Sequence, residues 1–200
     1  MSSDGELLMV NNASHSLMIY ESDAELIRSI RLPVDIVYAC HAVETSTRNF
    51  IVIHTEEEKK MVAEVEKETV EHKERLERID EDGESNRRKS LLGISQLTRD
   101  GQMISRRIIA LNEPRQLTFH DYYISLDSDD RVFVADRDND RVILLDSDLK
   151  WSRILCSTNE EIEDRKIRLP RRLFYDEKTK QLIVGGSLGN EVNVYTLSRN

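Results

Sequence analysis

Asp136, Asp138 and Asp140 stand at alternate positions in the stretch DRVFVADRDNDRVILLDSD, residues 130–148. Carboxylates so spaced are the chemistry of a calcium loop, which also needs a Gly at its sixth position and a bidentate Glu at its twelfth. Counted from Asp136, those positions hold Arg141 and Ser147. A guanidinium where the ion would gather carboxylates excludes an EF-hand, and Val142–Leu145 reads as a strand. The alternative is an acidic turn in which Asp and Asn bond their own backbone and Arg141 pairs with a neighbouring Asp.

The other reactive residue types give weaker signals. The five histidines, His15, His41, His54, His72 and His120, include no pair at the spacing that shares one helix face. Cys40 and Cys156 follow apolar runs and read as core residues; two cysteines cannot build a structural zinc site. There is no G-x-S-x-G, Walker A or G-x-G-x-x-G pattern, and Gly185–Gly189 joins two strands without opening a helix. No catalytic residue, metal ligand or cofactor is therefore expected. Arg87-Arg88-Lys89-Ser90 fits a basophilic kinase pattern, which makes Ser90 a phosphorylation candidate. Arg115, Arg137, Arg141, Arg171 and Arg172 fall at strand starts or in loops and form a candidate face for protein or RNA.

The elements that would position these residues repeat. Leu7–Val10 leads through a polar loop to Leu17–Tyr20, Arg131–Val134 to Arg141–Leu145, and Gln181–Val184 to Glu191–Tyr195. Each is an apolar run, an Asn/Asp/Gly-rich loop and a second apolar run, as in a hairpin. The first two copies continue into a further turn and strand, at Ser22–Ile30 and Ser147–Leu155. Leu32-Pro33 and Leu169-Pro170 open the next strands, Asp35–Tyr38 and Leu173–Asp176, and Glu113-Pro114 precedes Tyr123–Asp127. A fourth copy is split between Phe50–His54 and Gly93–Ser105. From Val10 to Val52, Val134 and Val184 the spacings are 42, 82 and 50 residues. Without the segment that splits the fourth copy, all lie near the 40–50 residues of a four-stranded propeller blade.

At Val134-Ala135-Asp136, Asn139, Arg141-Val142 and Asp146 the chain resembles an NHL repeat, the propeller unit found at the C-terminus of tripartite-motif proteins. The last copy keeps Val184, Gly186 and Val192 but has Glu191 in place of the Arg, and the first has a loop one residue shorter. The expectation is an all-β protein: residues 1–55 and 91–200 form about three and a half blades of a six-bladed ring, starting at a second strand and stopping at a third. Further blades would come from a longer chain or from self-association. The resemblance implies a non-catalytic protein-interaction platform in ubiquitin-linked regulation, and any ligase activity would need a RING that this chain lacks. The alternatives are an RNA-binding propeller face, and a metal-dependent enzyme whose histidines converge on the channel.

Residues 56–90 form the splitting segment. It is rich in Glu, Lys and Arg, with Met61, Val65, His72, Leu76 and Ile79 on one helical face. That face is thin for a coiled coil, so a charged helical or disordered insertion in a blade loop is expected. The net charge of −9 argues against a partner bound through its phosphate backbone, and no DNA is expected. The start shows no basic-then-apolar leader pattern, and no apolar run reaches the roughly 18 residues of a membrane helix. A cytoplasmic protein with no membrane partner follows; the glycosylation-like triplet Asn12-Ala13-Ser14 carries little weight there.

Overall fold

The computed structural model describes residues 6–57, 90–110, 122–157, 167–186 and 192–197. Over these the chain is a row of antiparallel sheets, the blades of a β-propeller. Blade 1 holds β1 (Leu7–Asn11), β2 (Ser16–Tyr20) and β3 (Leu26–Arg31). Blade 2 holds β4 (Tyr38–Glu44), β5 (Phe50–Glu57), β6 (Ser90–Leu97) and β7 (Met103–Ala110). Blade 3 holds β8 (Tyr123–Leu126), β9 (Val132–Asp136), β10 (Arg141–Leu145) and β11 (Ser152–Ser157). Blade 4 holds β12 (Pro170–Asp176), β13 (Gln181–Gly186) and β14 (Val192–Thr196). In each sheet the strands pair in chain order. The innermost strands β4, β8 and β12 lie side by side along the axial edge.

The apolar runs are continuous because both faces of a blade are buried. Along β9, Val132 and Val134 pack with Ile51, Ile53, Leu92 and Ile94 of blade 2. Phe133 and Ala135, pointing the other way, pack with Leu173, Tyr175, Leu182 and Val184 of blade 4. β10 divides likewise, with Ile143 and Leu145 toward blade 2 and Val142 and Leu144 toward blade 4. Phe50 and Val52 of β5 meet Leu17, Ile19 and Ile30 of blade 1. A period of two with both phases apolar is what a strand sandwiched between two layers requires.

The hairpins repeat at the level of single backbone angles. Positive φ recurs at Arg48, Asp130 and Lys180 between first and second strands, at His15 and Asp140 between second and third, and at Ala24, Gly101 and Leu149 between third and fourth. Only one of these eight is glycine. At Gly101 the requirement is spatial as well, since a Cβ would stand 2.8 Å from the Arg31 carbonyl oxygen and 2.9 Å from Ile30.

Two expectations need correction. The strand placed at Asp35–Tyr38 begins only at Tyr38. Pro33 turns the chain, with Ile36 N–H donating to its carbonyl at 3.0 Å, and Ile36 plugs the core completely buried. In blade 1 the hairpin closes with Asn11 opposite Ser16, as Asp136 stands opposite Arg141 in blade 3, so the two loops are equal in length. Met9 rather than Val10 thus corresponds to Val134, and this one-residue change exchanges the two faces of β1. Residues 58–89 of the expected charged insertion lie outside the described residues; its flanks, Glu57 and Ser90, are paired neighbours in β5 and β6. Among the described residues no helix is long and apolar enough to cross a membrane.

Phe133 is completely buried and stacks on Tyr175, with ring centroids 4.9 Å apart. Phe133→Ala should lower unfolding free energy by about 3–5 kcal/mol, because the two blade faces cannot collapse onto the vacated ring. Urea denaturation followed by circular dichroism measures this, and a loss near zero would contradict the packing described.

Candidate functional site

The alternate aspartates serve three separate joints. Asp136 ends β9 completely buried. Its carboxylate accepts two hydrogen bonds from the Asn139 amide, at 2.8 and 2.9 Å, and one from Arg141 Nε at 2.6 Å. Burial raises its pKa, and the Asn139 and Arg141 bonds oppose that rise. Asp138, inside a short 3-10 turn, accepts from the hydroxyl of buried Tyr122 at 2.5 Å. Burial, then that bond, pushes the Tyr122 phenol far up, so it stays a donor. Asp140 closes the turn in the left-handed conformation and accepts from Leu169 N–H at 2.6 Å. One carboxylate thus holds the hairpin, one the entry to blade 3 and one the entry to blade 4. Asp136, Asn139 and Arg141, which carried the NHL resemblance, are one hydrogen-bonded unit. No cluster of His, Cys, Asp and Glu suited to a metal occurs among the described residues.

Equivalent joints link the other blades. In blade 1, His15 Nε2–H donates to the Pro33 carbonyl at 3.0 Å. The Asn12 amide accepts from Ala39 N–H and donates to Ala39 C=O, as a strand neighbour would. At the opposite ends of the strands, Ser46 donates to Asp130 through N–H and hydroxyl, and Ser128 N–H donates to Glu177.

A second arrangement, unmarked in the sequence, is a ladder on the axial edge. His41, Tyr123 and Arg172 occupy the same position of the innermost strand in three successive blades. Each precedes the residue, Ala42, Ile124 or Leu173, that is opposite Val52, Val134 or Val184. Local bulges in β4 and β12 fall immediately before His41 and Arg172. The His41 ring stacks on Tyr123 at 3.8 Å, and the Arg172 guanidinium lies 4.7 Å above the same ring. Burial, and then the Arg172 charge, lowers the His41 pKa to about 4. The imidazole is therefore neutral at pH 7, and Nδ1 faces Ile124 N–H at 3.5 Å as an acceptor. The signal lay in equivalent positions of strands whose bulges the sequence does not mark.

The predicted arginines separate into groups. Arg141 is engaged by Asp136 and 23% exposed. Arg137 is half-buried in the same loop, and Arg171 and Arg172 are exposed at the start of β12. The Asp140–Leu169 bond sets that loop beside the entry to β12, so these four share one end of the blades. Arg115 lies outside the described residues, as do His72 and His120. Ser90 opens β6 opposite Glu57. A shallow cleft at the outer rim, lined by Arg107, Arg141, Ile109, Ile143 and Ile154, offers little to an anion. Arg107 is spent on Lys150 C=O and Ser152 Oγ, and Arg141 on Asp136.

His54, completely buried between blades 1 and 2, shares a 2.8 Å hydrogen bond with Ser95 Oγ, and its Nδ1–H points to the Thr55 carbonyl at 3.4 Å. With the proton on Nδ1, Nε2 accepts from the Ser95 hydroxyl, a tautomer suited to a core bond.

No family model and no curated protein matches the chain. Solved structures do. A Bacteroides caccae protein of unknown function is 12% identical, with a TM-score of 0.48 over 96% of this chain and 57% of that one. A streptogramin B lyase is 12% identical, with a TM-score of 0.47 over 98% and 52%. The virginiamycin B lyase of Staphylococcus aureus is 12% identical, with a TM-score of 0.47 over 100% and 54%. The chain thus spans a little over half the length of these structures. The expectation that it is no enzyme does not stand beside these matches: two of the three are lyases.

Burial, then the nearby Arg106 charge, lowers the His54 pKa from 6.5 to about 4. The unfolded chain takes up a proton below pH 6.5 that the folded chain refuses until about pH 4. Stability should therefore fall as pH drops through that window, by on the order of 3 kcal/mol for this group. Thermal melts of the protein and of His54→Gln from pH 7 to pH 4 measure it. The variant should lose part of the slope, and identical slopes would contradict the burial of a neutral imidazole.

Proposed function

We propose that the chain is an interaction scaffold that presents the β12 end of its axial edge to an acidic protein segment. The observation that carries this reading is the Arg172 guanidinium, exposed yet held over the Tyr123 ring. A cation already stacked on an aromatic face loses little freedom when a carboxylate docks on it. Arg171 beside it and Arg137 on the adjoining loop raise the local positive potential, although the whole chain carries −9. The same net charge disfavours any long polyanion, so a patch of three arginines suits a short acidic segment over a long phosphate backbone. The NHL-like stretch Val134–Asp148 supports placing such a scaffold in cytoplasmic, ubiquitin-linked regulation. Phosphate on Ser90, next to Glu57, would add negative charge at the same end of blade 2.

Fluorescence anisotropy with a labelled poly-glutamate peptide and a labelled single-stranded RNA, at low salt, tests the reading. The peptide should bind, and Arg171→Glu with Arg172→Glu should weaken it by about tenfold or more. RNA binding that the same double variant removes would replace the proposal with the RNA reading, and binding of neither probe would refute both.

A further inference from the structure

Every interior junction joins the following face of one blade to the preceding face of the next. In blade 3 the following face is Phe133, Ala135, Val142 and Leu144, each at most 2% exposed. By strand register, the same positions of blade 4 are Ile183, Gly185, Val192 and Val194. There Val192 is 63% and Val194 53% exposed, and Phe174 beside them is 60% exposed. The preceding face of blade 3 is Val132, Val134, Ile143 and Leu145, at most 5% exposed. Its counterpart in blade 1 is Leu7, Met9, Met18 and Tyr20. Here Leu7 is 42% and Met9 54% exposed. One end of the row thus offers a following face and the other a preceding face, both apolar, and in blade 3 both types are covered. Monomeric proteins rarely leave such contiguous patches open.

We propose that these two faces bind each other between two copies of the chain, blade 4 of each copy packing on blade 1 of the other. A second copy is the occupant because the chain carries both complementary halves of the contact that joins its own blades. The fit follows the interior rule, with the long side chains of Met9, Met18 and Tyr20 meeting a face whose centre is Gly185, Val192 and Val194. The contact is heterologous, and using it twice closes a two-fold ring with no apolar face left over. It extends the blade stack without a new kind of interface.

The test is the mass in solution of the full chain, by light scattering after size exclusion at micromolar concentration. The expected mass is twice the 23.3 kDa of one chain. Val194→Glu and Met9→Glu should each give a monomer with an unchanged β-type circular dichroism spectrum, because both positions are exposed within one chain. Mixing the two variants restores one undamaged junction, so a dimer should return in the mixture alone. A monomeric wild-type chain, a dimer that survives either substitution, or a mixture that stays monomeric would overturn the proposal.

Discussion

A four-stranded antiparallel sheet with two apolar faces cannot stand alone in water, and here each interior blade is such a sheet. Val132 and Val134 point to one neighbour, and Phe133 and Ala135 point to the other. Burial of both faces is the constraint on which the rest depends. It dictates apolar runs without polar alternation, it aligns successive blades so that like positions meet, and it sends most polar groups to the strand ends and the axial edge, with His54 and Ser95 paired inside a blade face. The hydrophobic gain is set by area, but the register is set by the need to keep the two face sets apart.

The polar residues follow from that alignment. Because blades repeat in register, a loop at one end of a blade always lies near the connection to the next, and short polar side chains can bridge the gap. Asp140 to Leu169, His15 to Pro33 and Asn12 to Ala39 are three solutions to that one geometric problem, while Asp138 to Tyr122 ties a loop to the entry of its own blade. Within the hairpin, buried Asp136 pairs with partly exposed Arg141, and Asn139 supplies the remaining bonds the carboxylate needs away from water. The ladder of His41, Tyr123 and Arg172 arises in the same way, as one axial position repeated three times. There the repeat ends in an exposed cation.

Much of this was legible in the sequence. The strands of the Val134 and Val184 copies, the split of the Phe50 copy and the pairing of Arg141 with an Asp can all be read from apolar runs and turn residues. The Arg141 bond is visible because its acid lies only five residues away. What stayed hidden depends on contacts distant in sequence. That Asp140 holds Leu169 or Asn12 holds Ala39 requires knowing which loops adjoin. The offset in blade 1 escaped because Met9 and Val10 are both apolar, and four of the eight positive-φ turn positions, Ala24, Arg48, Leu149 and Lys180, carry side chains that do not advertise that conformation. The ladder escaped because His41, Tyr123 and Arg172 share no chemistry as residue types, only a place. The start of β4 was misplaced because Asp35–Val37 looks extended, while Ile36 is needed as a plug.

Hydrogen exchange resolved to single strands tests two-sided burial most directly. Strands enclosed by a blade on each face and a strand on each edge open only with the whole fold, whereas a strand paired on one edge exchanges by local fraying. The account predicts the slowest amides in Val132–Ala135 and Val142–Leu145, with Val192–Thr196 exchanging far faster. Equal exchange in β9, β10 and β14 would contradict it.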